Sequence, residues 1–339
     1  MKVLVTIPEM DSEPALLREI ASVSSDTDVS YDSCPTGHRL DRALQSHQPE
    51  VLFTRETPTD PRACTSLKWL QFHSAGMEEV LSGFLRKSDI LITNVSGAHA
   101  VPIAEYVLGC MILLSRHFVT HVRDKERRAY DRSHGVEDDL RGKTACLVGY
   151  GMIGRAIGQL LDRVGVHVFA LKRDPTKRRV TGKFQWPGIG DPDGRIPELI
   201  YGPAELDTML GKSDYVICCA PITTETRGMM GERQLKAMKS TSFLLNVARG
   251  ELFDEEALVR ALRKRWIAGA ALDAYVHEPL PADSPFWDLG DHVFLTPHVS
   301  GTRYNPNYNR RTTDIFVENL KRYASSQLLL NVVGKERGY

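Results

Sequence analysis

The sequence has no surplus of charge of either sign: 43 Lys and Arg offset 43 Asp and Glu, leaving a formal net charge of zero at pH 7. That excludes a global basic field able to recruit nucleic acid or an anionic membrane. Long hydrophobic runs are also missing. The longest, residues 107–114, falls far short of the roughly 20 apolar residues that a spanning helix needs. Cysteine is scarce, with six residues at no framework spacing, so a disulfide scaffold is not expected. Cys218 and Cys219, adjacent in a buried-looking stretch, read as free thiols of a reducing compartment. No signal peptide is expected, because Met1-Lys2-Val3-Leu4-Val5 reads as a strand. There is no low-complexity tract and no repeat of fixed period. The reading is a cytoplasmic globular protein with no membrane, nucleic-acid or metal partner, long enough at 339 residues for two domains.

What is present is an alternation of strand-like and helix-like segments. Strands are predicted at residues 3–7, 51–53, 69–72 and 90–93, with helices such as 14–21 between them. More follow at 215–220, 243–247, 270–272 and 293–295. Such alternation implies parallel sheets covered by helices. Near the middle, Thr144-Ala145-Cys146-Leu147-Val148 runs into Gly149-Tyr150-Gly151-Met152-Ile153-Gly154. Apolar residues at Ala156, Ile157, Leu160, Leu161 and Val164 then keep helical spacing up to Gly165, and residues 166–171 read as the next strand. This is the context of a dinucleotide-binding fingerprint. Gly149 permits the tight turn, Gly151 lets backbone approach a pyrophosphate, and Gly154 lets helix pack on strand. The first N–H groups of the helix, including those of Met152 and Ile153, face the phosphates. About 140 residues precede this strand, which implies a separate N-terminal α/β domain.

Cofactor choice is set at the end of the second strand, where an acid serves the ribose hydroxyls of NAD and cations serve the 2′-phosphate of NADP. Here Leu171 is followed by Lys172, Arg173 and Asp174, with Lys177, Arg178 and Arg179 close behind. Lys172 and Arg173 at that position favour NADP(H). NAD is the alternative, with Asp174 as its ribose ligand, and a solvated surface loop is the plain reading of the run. A further stretch, residues 186–197, is dense in Pro, Gly and Asp and is expected to be irregular.

Three polar constellations stand past predicted strands: Arg249 in Asn246-Val247-Ala248-Arg249-Gly250, Glu278 in Asp273-Ala274-Tyr275-Val276-His277-Glu278-Pro279, and His298 in Thr296-Pro297-His298. Separately they read as a surface Arg, an exposed Glu and a capping His. Together, after a dinucleotide fingerprint, they supply what hydride transfer to a 2-keto acid requires. Arg249 can polarise a keto oxygen, His298 can protonate it, and Glu278 can hold the far imidazole nitrogen.

These motifs, in this order, resemble the D-isomer-specific 2-hydroxyacid dehydrogenase family. The resemblance extends to Phe72-His73-Ser74-Ala75-Gly76-Met77, where it implies that the Ala75 and Gly76 amides bind the substrate carboxylate. It extends to residues 94–106 as the crossing segment, and to Pro221 and Thr226 in Pro221-Ile222-Thr223-Thr224-Glu225-Thr226 beside the nicotinamide ribose. Asp273 joins the cofactor contacts on the same ground. The family implies two doubly wound parallel-sheet domains, a Rossmann nucleotide domain (97–302) inserted in a flavodoxin-like substrate domain (1–96 plus 303–339). It also implies a homodimer, an active site in the interdomain cleft, and a small 2-keto or 2-hydroxy acid as substrate. The chain departs from the family at Lys172, at Tyr106 where a His is common, and in the length of the 186–197 stretch. The alternative is a dinucleotide-sensing, corepressor-like binding protein on the same fold.

Overall fold

A computed structural model gives the fold; it describes all residues except 78, 135–137, 302–304, 306, 337 and 339. The chain divides into two compact units. The first comprises residues 1–98, 181–186 and 303–339, the second residues 99–180 and 187–302.

The first unit is a five-stranded parallel sheet in the order β2-β1-β3-β4-β5, formed by β1 (Lys2–Val5), β2 (Asp28–Tyr31), β3 (Val51–Thr54), β4 (Trp69–Phe72) and β5 (Leu91–Thr93). Helices α1 (Pro14–Ala21) and α2 (Gly37–His47) lie between its strands, and α9 (Tyr308–Ala324) returns from the far end of the chain. On α9, Phe316 and Leu320 close one sheet face over Phe53 and Trp69, with the Phe316 ring stacked 4.4 Å from Phe53. Leu40 and Leu44 of α2 pack on the other face.

The second unit opens with α3 (Ala100–Ser115) and α4 (Phe118–Arg127). The 107–114 run lies inside α3, whose buried side chains pack with those of α5 (Met152–Arg163). Its sheet, all parallel, runs β12-β11-β10-β9-β6-β7-β8. The strands are β6 (Thr144–Val148), β7 (His167–Leu171), β8 (Leu199–Tyr201), β9 (Tyr215–Cys218), β10 (Phe243–Asn246), β11 (Gly269–Leu272) and β12 (Val293–Leu295). Side chains alternate between two cores, as strands buried on both faces require. Cys146 and Val148 join the core beneath α6 (Leu206–Lys212), α7 (Glu232–Ala237) and α8 (Glu255–Arg263), whereas Ala145 and Leu147 join that beneath α3 and α5. The strand order reverses at β6/β9, the switch point at which open α/β sheets bind ligands.

The predicted irregular stretch contains no helix or strand: none occurs between β7 and β8. It is nonetheless anchored. Gln159 on α5 donates to Gly188 O at 3.0 Å and accepts from Gly190 N at 2.8 Å. Asp191 accepts from the Tyr150 hydroxyl at 2.7 Å and from the Arg195 and Ile196 amides. Buried Arg155 stacks over Tyr150 and donates to the carbonyls of Arg178 and Asp191. Residues 181–186, which run into the first residue of the stretch, belong to the first unit.

Candidate active site

Parallel register decides which residues meet. Val148 pairs with Cys218, Cys218 with Asn246, Asn246 with Leu272 and Leu272 with Leu295. The turns that follow these residues therefore leave the same sheet edge in adjacent positions. They carry the glycine fingerprint, Arg249, Asp273 with Glu278, and His298.

Across that edge His298 Nδ1 lies 2.8 Å from Glu278 Oε2. An ionised carboxylate only accepts, so this contact places the proton on Nδ1 and leaves Nε2 as the working nitrogen. The other Glu278 oxygen accepts from the Tyr275 amide at 2.9 Å, fixing the carboxylate. His298 has φ of +55°, a left-handed backbone position held by its N–H bonding to Asp273 O and Thr296 O. Asp273 is fully buried; its carboxylate accepts from the Thr296 hydroxyl at 2.6 Å and from the Val299 and Ser300 amides at 2.8 and 2.9 Å. It clamps the turn that presents the histidine.

Arg249 follows β10, and its Nη1 donates to Ala248 O at 2.9 Å. Asn246 ties this turn down, donating to Arg249 O and Ala274 O at 3.2 Å each while accepting from Ala248 N. Gly250 lies directly on the Tyr275–Val276 peptide, with no room for a Cβ. The Arg249 turn and the Glu278 turn are thus packed backbone to backbone.

The residues fit a dinucleotide. A Cβ at Gly149 would stand 2.7 Å from Ala220 Cα, while one at Gly151 would meet nothing within 4 Å, so open space lies over the α5 N-terminus. No side chain caps that terminus and no acid lies in its first turn, leaving the Met152 and Ile153 end available to phosphate. Cys219 ties β9 to the fingerprint by donating to Gly149 O at 2.9 Å. The 221–226 turn braces itself, with the Thr226 hydroxyl donating to Pro221 O at 2.7 Å. Past β7, Asp174 is occupied by its own turn: Oδ1 accepts from the Thr176 amide and hydroxyl, and Lys177 lies 3.5 Å from Oδ2. Lys172 donates to Lys177 O, and burial together with Arg155 and Lys177 lowers its ammonium below the ordinary lysine range. Arg173 lies 3.5 Å from exposed Glu225.

In the first unit, the Ala75 and Gly76 loop follows β4. Asn94 donates to Ala75 O at 3.1 Å, and Val95 N donates to Ser74 O. Among the described residues no acceptor meets the Ala75 or Gly76 amides.

Two positioning residues were not assigned a role from the sequence: Asn246, signalled only by standing at a strand end, and Thr296, whose hydroxyl lies 2.6 Å from that of Tyr106, a residue noted in the sequence only as a departure from the family pattern. Elsewhere His121, Asp124 and His134 bring potential ligand atoms within 4.8 Å of one another. There the Asp124 carboxylate already accepts from Arg127 at 2.6 Å and contacts His134, so charge pairing accounts for the cluster.

The NAD-binding domain model of D-isomer specific 2-hydroxyacid dehydrogenases matches residues 108–300. A glyoxylate reductase of Thermofilum pendens is 32% identical over 278 residues, covering 81% of this chain and 77% of its own. An (S)-sulfolactate dehydrogenase of Chromohalobacter salexigens is 30% identical over 322 residues, covering 94% and 97%. The fold is similar to the crystal structure of a D-isomer specific 2-hydroxyacid dehydrogenase from Xanthobacter autotrophicus Py2 in complex with NADPH and MES, with a TM-score of 0.77, 24% identity and 99% coverage of both chains. With the strand-end residues in the places described, the chain belongs to the D-isomer specific 2-hydroxyacid dehydrogenase family.

Proposed function

We propose that this protein reduces a small 2-keto acid to the D-2-hydroxy acid, taking hydride from NADPH in preference to NADH. The observation that carries the reading is the 2.8 Å contact between His298 and Glu278 at the sheet edge that also bears the fingerprint. The bound nicotinamide supplies the hydride. The Ala75 and Gly76 amides hold the substrate carboxylate. The Arg249 fork donates to carboxylate and keto oxygen, stabilising charge where it builds up. His298 gives its Nε2 proton to that oxygen as the alcohol forms, and Glu278 holds the Nδ1 proton and offsets the imidazolium charge. Asp273, expected among the cofactor contacts, acts chiefly by clamping the 296–300 turn.

The preference for NADP(H) rests on Asp174 being engaged in its own turn and on two cations, Lys172 and Arg173, following β7 where the ribose specificity residue stands. A phosphate there would add a counter-charge for Lys172 beyond that of nearby Asp174.

No single helix among the described residues is long and apolar enough to cross a membrane. A cytoplasmic homodimer is part of the same proposal, with sedimentation as its test. The relatives reported above are named as dehydrogenases and reductases, and they give no support to the corepressor-like alternative. Assay of NADPH and NADH oxidation with glyoxylate, hydroxypyruvate, pyruvate and phenylpyruvate tests the reading. Turnover is expected, faster with NADPH; cofactor binding without any turnover would favour the binding-protein alternative.

A further inference from the structure

The connection from β7 to β8, residues 172–198, has no helix, although a parallel crossover usually contains one. Instead, its second half folds back on the fingerprint. Tyr150, between the first two glycines of that motif, is buried and donates its hydroxyl to Asp191 Oδ2 at 2.7 Å. Asp191 is buried too. It accepts from the Arg195 amide at 2.9 Å and the Ile196 amide at 3.0 Å, so its carboxylate closes the 191–196 turn. Arg155, one residue past the last glycine, holds its guanidinium 4.7 Å from the Tyr150 ring centre and donates to Asp191 O. A connection of this length in a compact domain, when it is anchored, usually carries function.

The turn that Asp191 closes backs the basic segment after β7. Arg155 Nη2 donates to Arg178 O at 2.5 Å, Val180 N to Pro192 O at 2.9 Å and Arg178 Nη1 to Gly194 O at 3.2 Å. A Cβ on Gly194 would stand 2.5 Å from Arg178 O, so the two backbones touch. Next to Arg178, the Lys177 carbonyl accepts from the Lys172 ammonium. An ammonium has three N–H donors, so Lys172 can keep that carbonyl and still donate to a phosphate. A cation already held in place needs little further ordering when the ligand arrives. We propose that Asp191 is a positioning residue for cofactor selection: through the 191–196 turn it holds the 177–180 backbone, and with it Lys172, for the 2′-phosphate of NADP. This rests on the NADP(H) reading and extends it to a residue well beyond the end of β7.

The test is fluorescence titration of the full-length protein with NADPH and with NADH. The wild type is expected to bind NADPH the more tightly. Asp191→Asn, which sets an amide among three donors, should lower the NADPH-to-NADH affinity ratio by about tenfold, the scale of one charge-assisted contact. Tyr150→Phe removes only the hydroxyl that reaches Asp191, and should lower the ratio by about threefold or more, the scale of one neutral hydrogen bond. Both losses should fall on NADPH, with NADH affinity close to that of the wild type. A double-mutant cycle shows whether the effect passes through Lys172: in a Lys172→Met background, Asp191→Asn should leave both affinities nearly unchanged. Each readout is a ratio within one protein, so a loss of folded material cancels, and Tyr150→Phe serves where Asp191→Asn does not fold. Equal losses for both cofactors, or the full Asp191→Asn effect retained without Lys172, overturn the proposal. A wild type that prefers NADPH, with variants of unchanged ratio, rejects only the role of Asp191. A wild type that prefers NADH rejects the NADP(H) reading and this proposal with it.

Discussion

At the scale of single residues, the site depends on which groups are held and which are left free. His298 is held through Nδ1 by Glu278 and through its backbone by Asp273. With Nε2 as the proton donor, His298→Ala should lose on the order of 10²–10⁴-fold in kcat, the usual worth of a general acid. Single-turnover measurement with saturating cofactor checks this, and a loss of less than tenfold would remove His298 from the chemistry. In the proposed role Arg249 acts through its planar fork as well as its charge. Arg249→Lys keeps the charge and loses the paired geometry, so kcat/KM should fall steeply while cofactor affinity, read by fluorescence titration, stays near that of the wild type. A Lys variant of near wild-type efficiency would show that Arg249 does not touch the substrate. The sequence supplied both residues and their strand-end positions. It did not supply Asn246 and Thr296 as the groups that hold them, because their partners at Ala274, Asp273 and Tyr106 are brought near only by the folded sheet.

At the scale of elements, the end of β7 decides the cofactor. Sequence order left Lys172, Arg173 and Asp174 as competitors. The proposed preference for NADP(H) follows from the turn there, in which Asp174 accepts from Thr176 and faces Lys177. Lys172→Asp removes one cation and adds a like charge facing the phosphate. NADPH binding should weaken by well over tenfold, since one charge-assisted contact contributes about 1.5–3 kcal/mol and roughly 1.4 kcal/mol is tenfold. NADH binding should hold or improve. The difference should shrink at high salt, as exposed charges are screened. Isothermal titration with both cofactors at two ionic strengths decides it, and a wild type preferring NADH would return the basic run to a solvated loop. The strands at the margins were the least legible elements. β2 and β8 are short edge strands with one or no fully buried residue, so neither shows the two-sided apolar pattern that marks β6 or β9.

At the scale of the whole molecule, burial governs the thiols. All six cysteines are unpaired and five are buried. Burial pushes Cys34 and Cys110 up to about 11, and Cys64, Cys146 and Cys219 up to about 12, with Cys218 also raised. A raised thiol is neutral, and only the thiolate attacks. At pH 8 the native protein should therefore react slowly with a disulfide reagent and expose six fast thiols when unfolded. A fast native thiol would contradict the packing at that residue. What the sequence determined by itself was local: the strand-turn-helix fingerprint, the period that separates helix from strand, and the polar residues one turn past each strand. Parallel register then carries those residues to one edge with no further information, because each strand ends where its neighbour ends. Only tertiary structure decided that residues 181–186 belong to the first unit. The hydrogen bonds that fix them come from Asn331, nearly 150 positions away, a pairing that no periodicity or turn signal within the segment encodes.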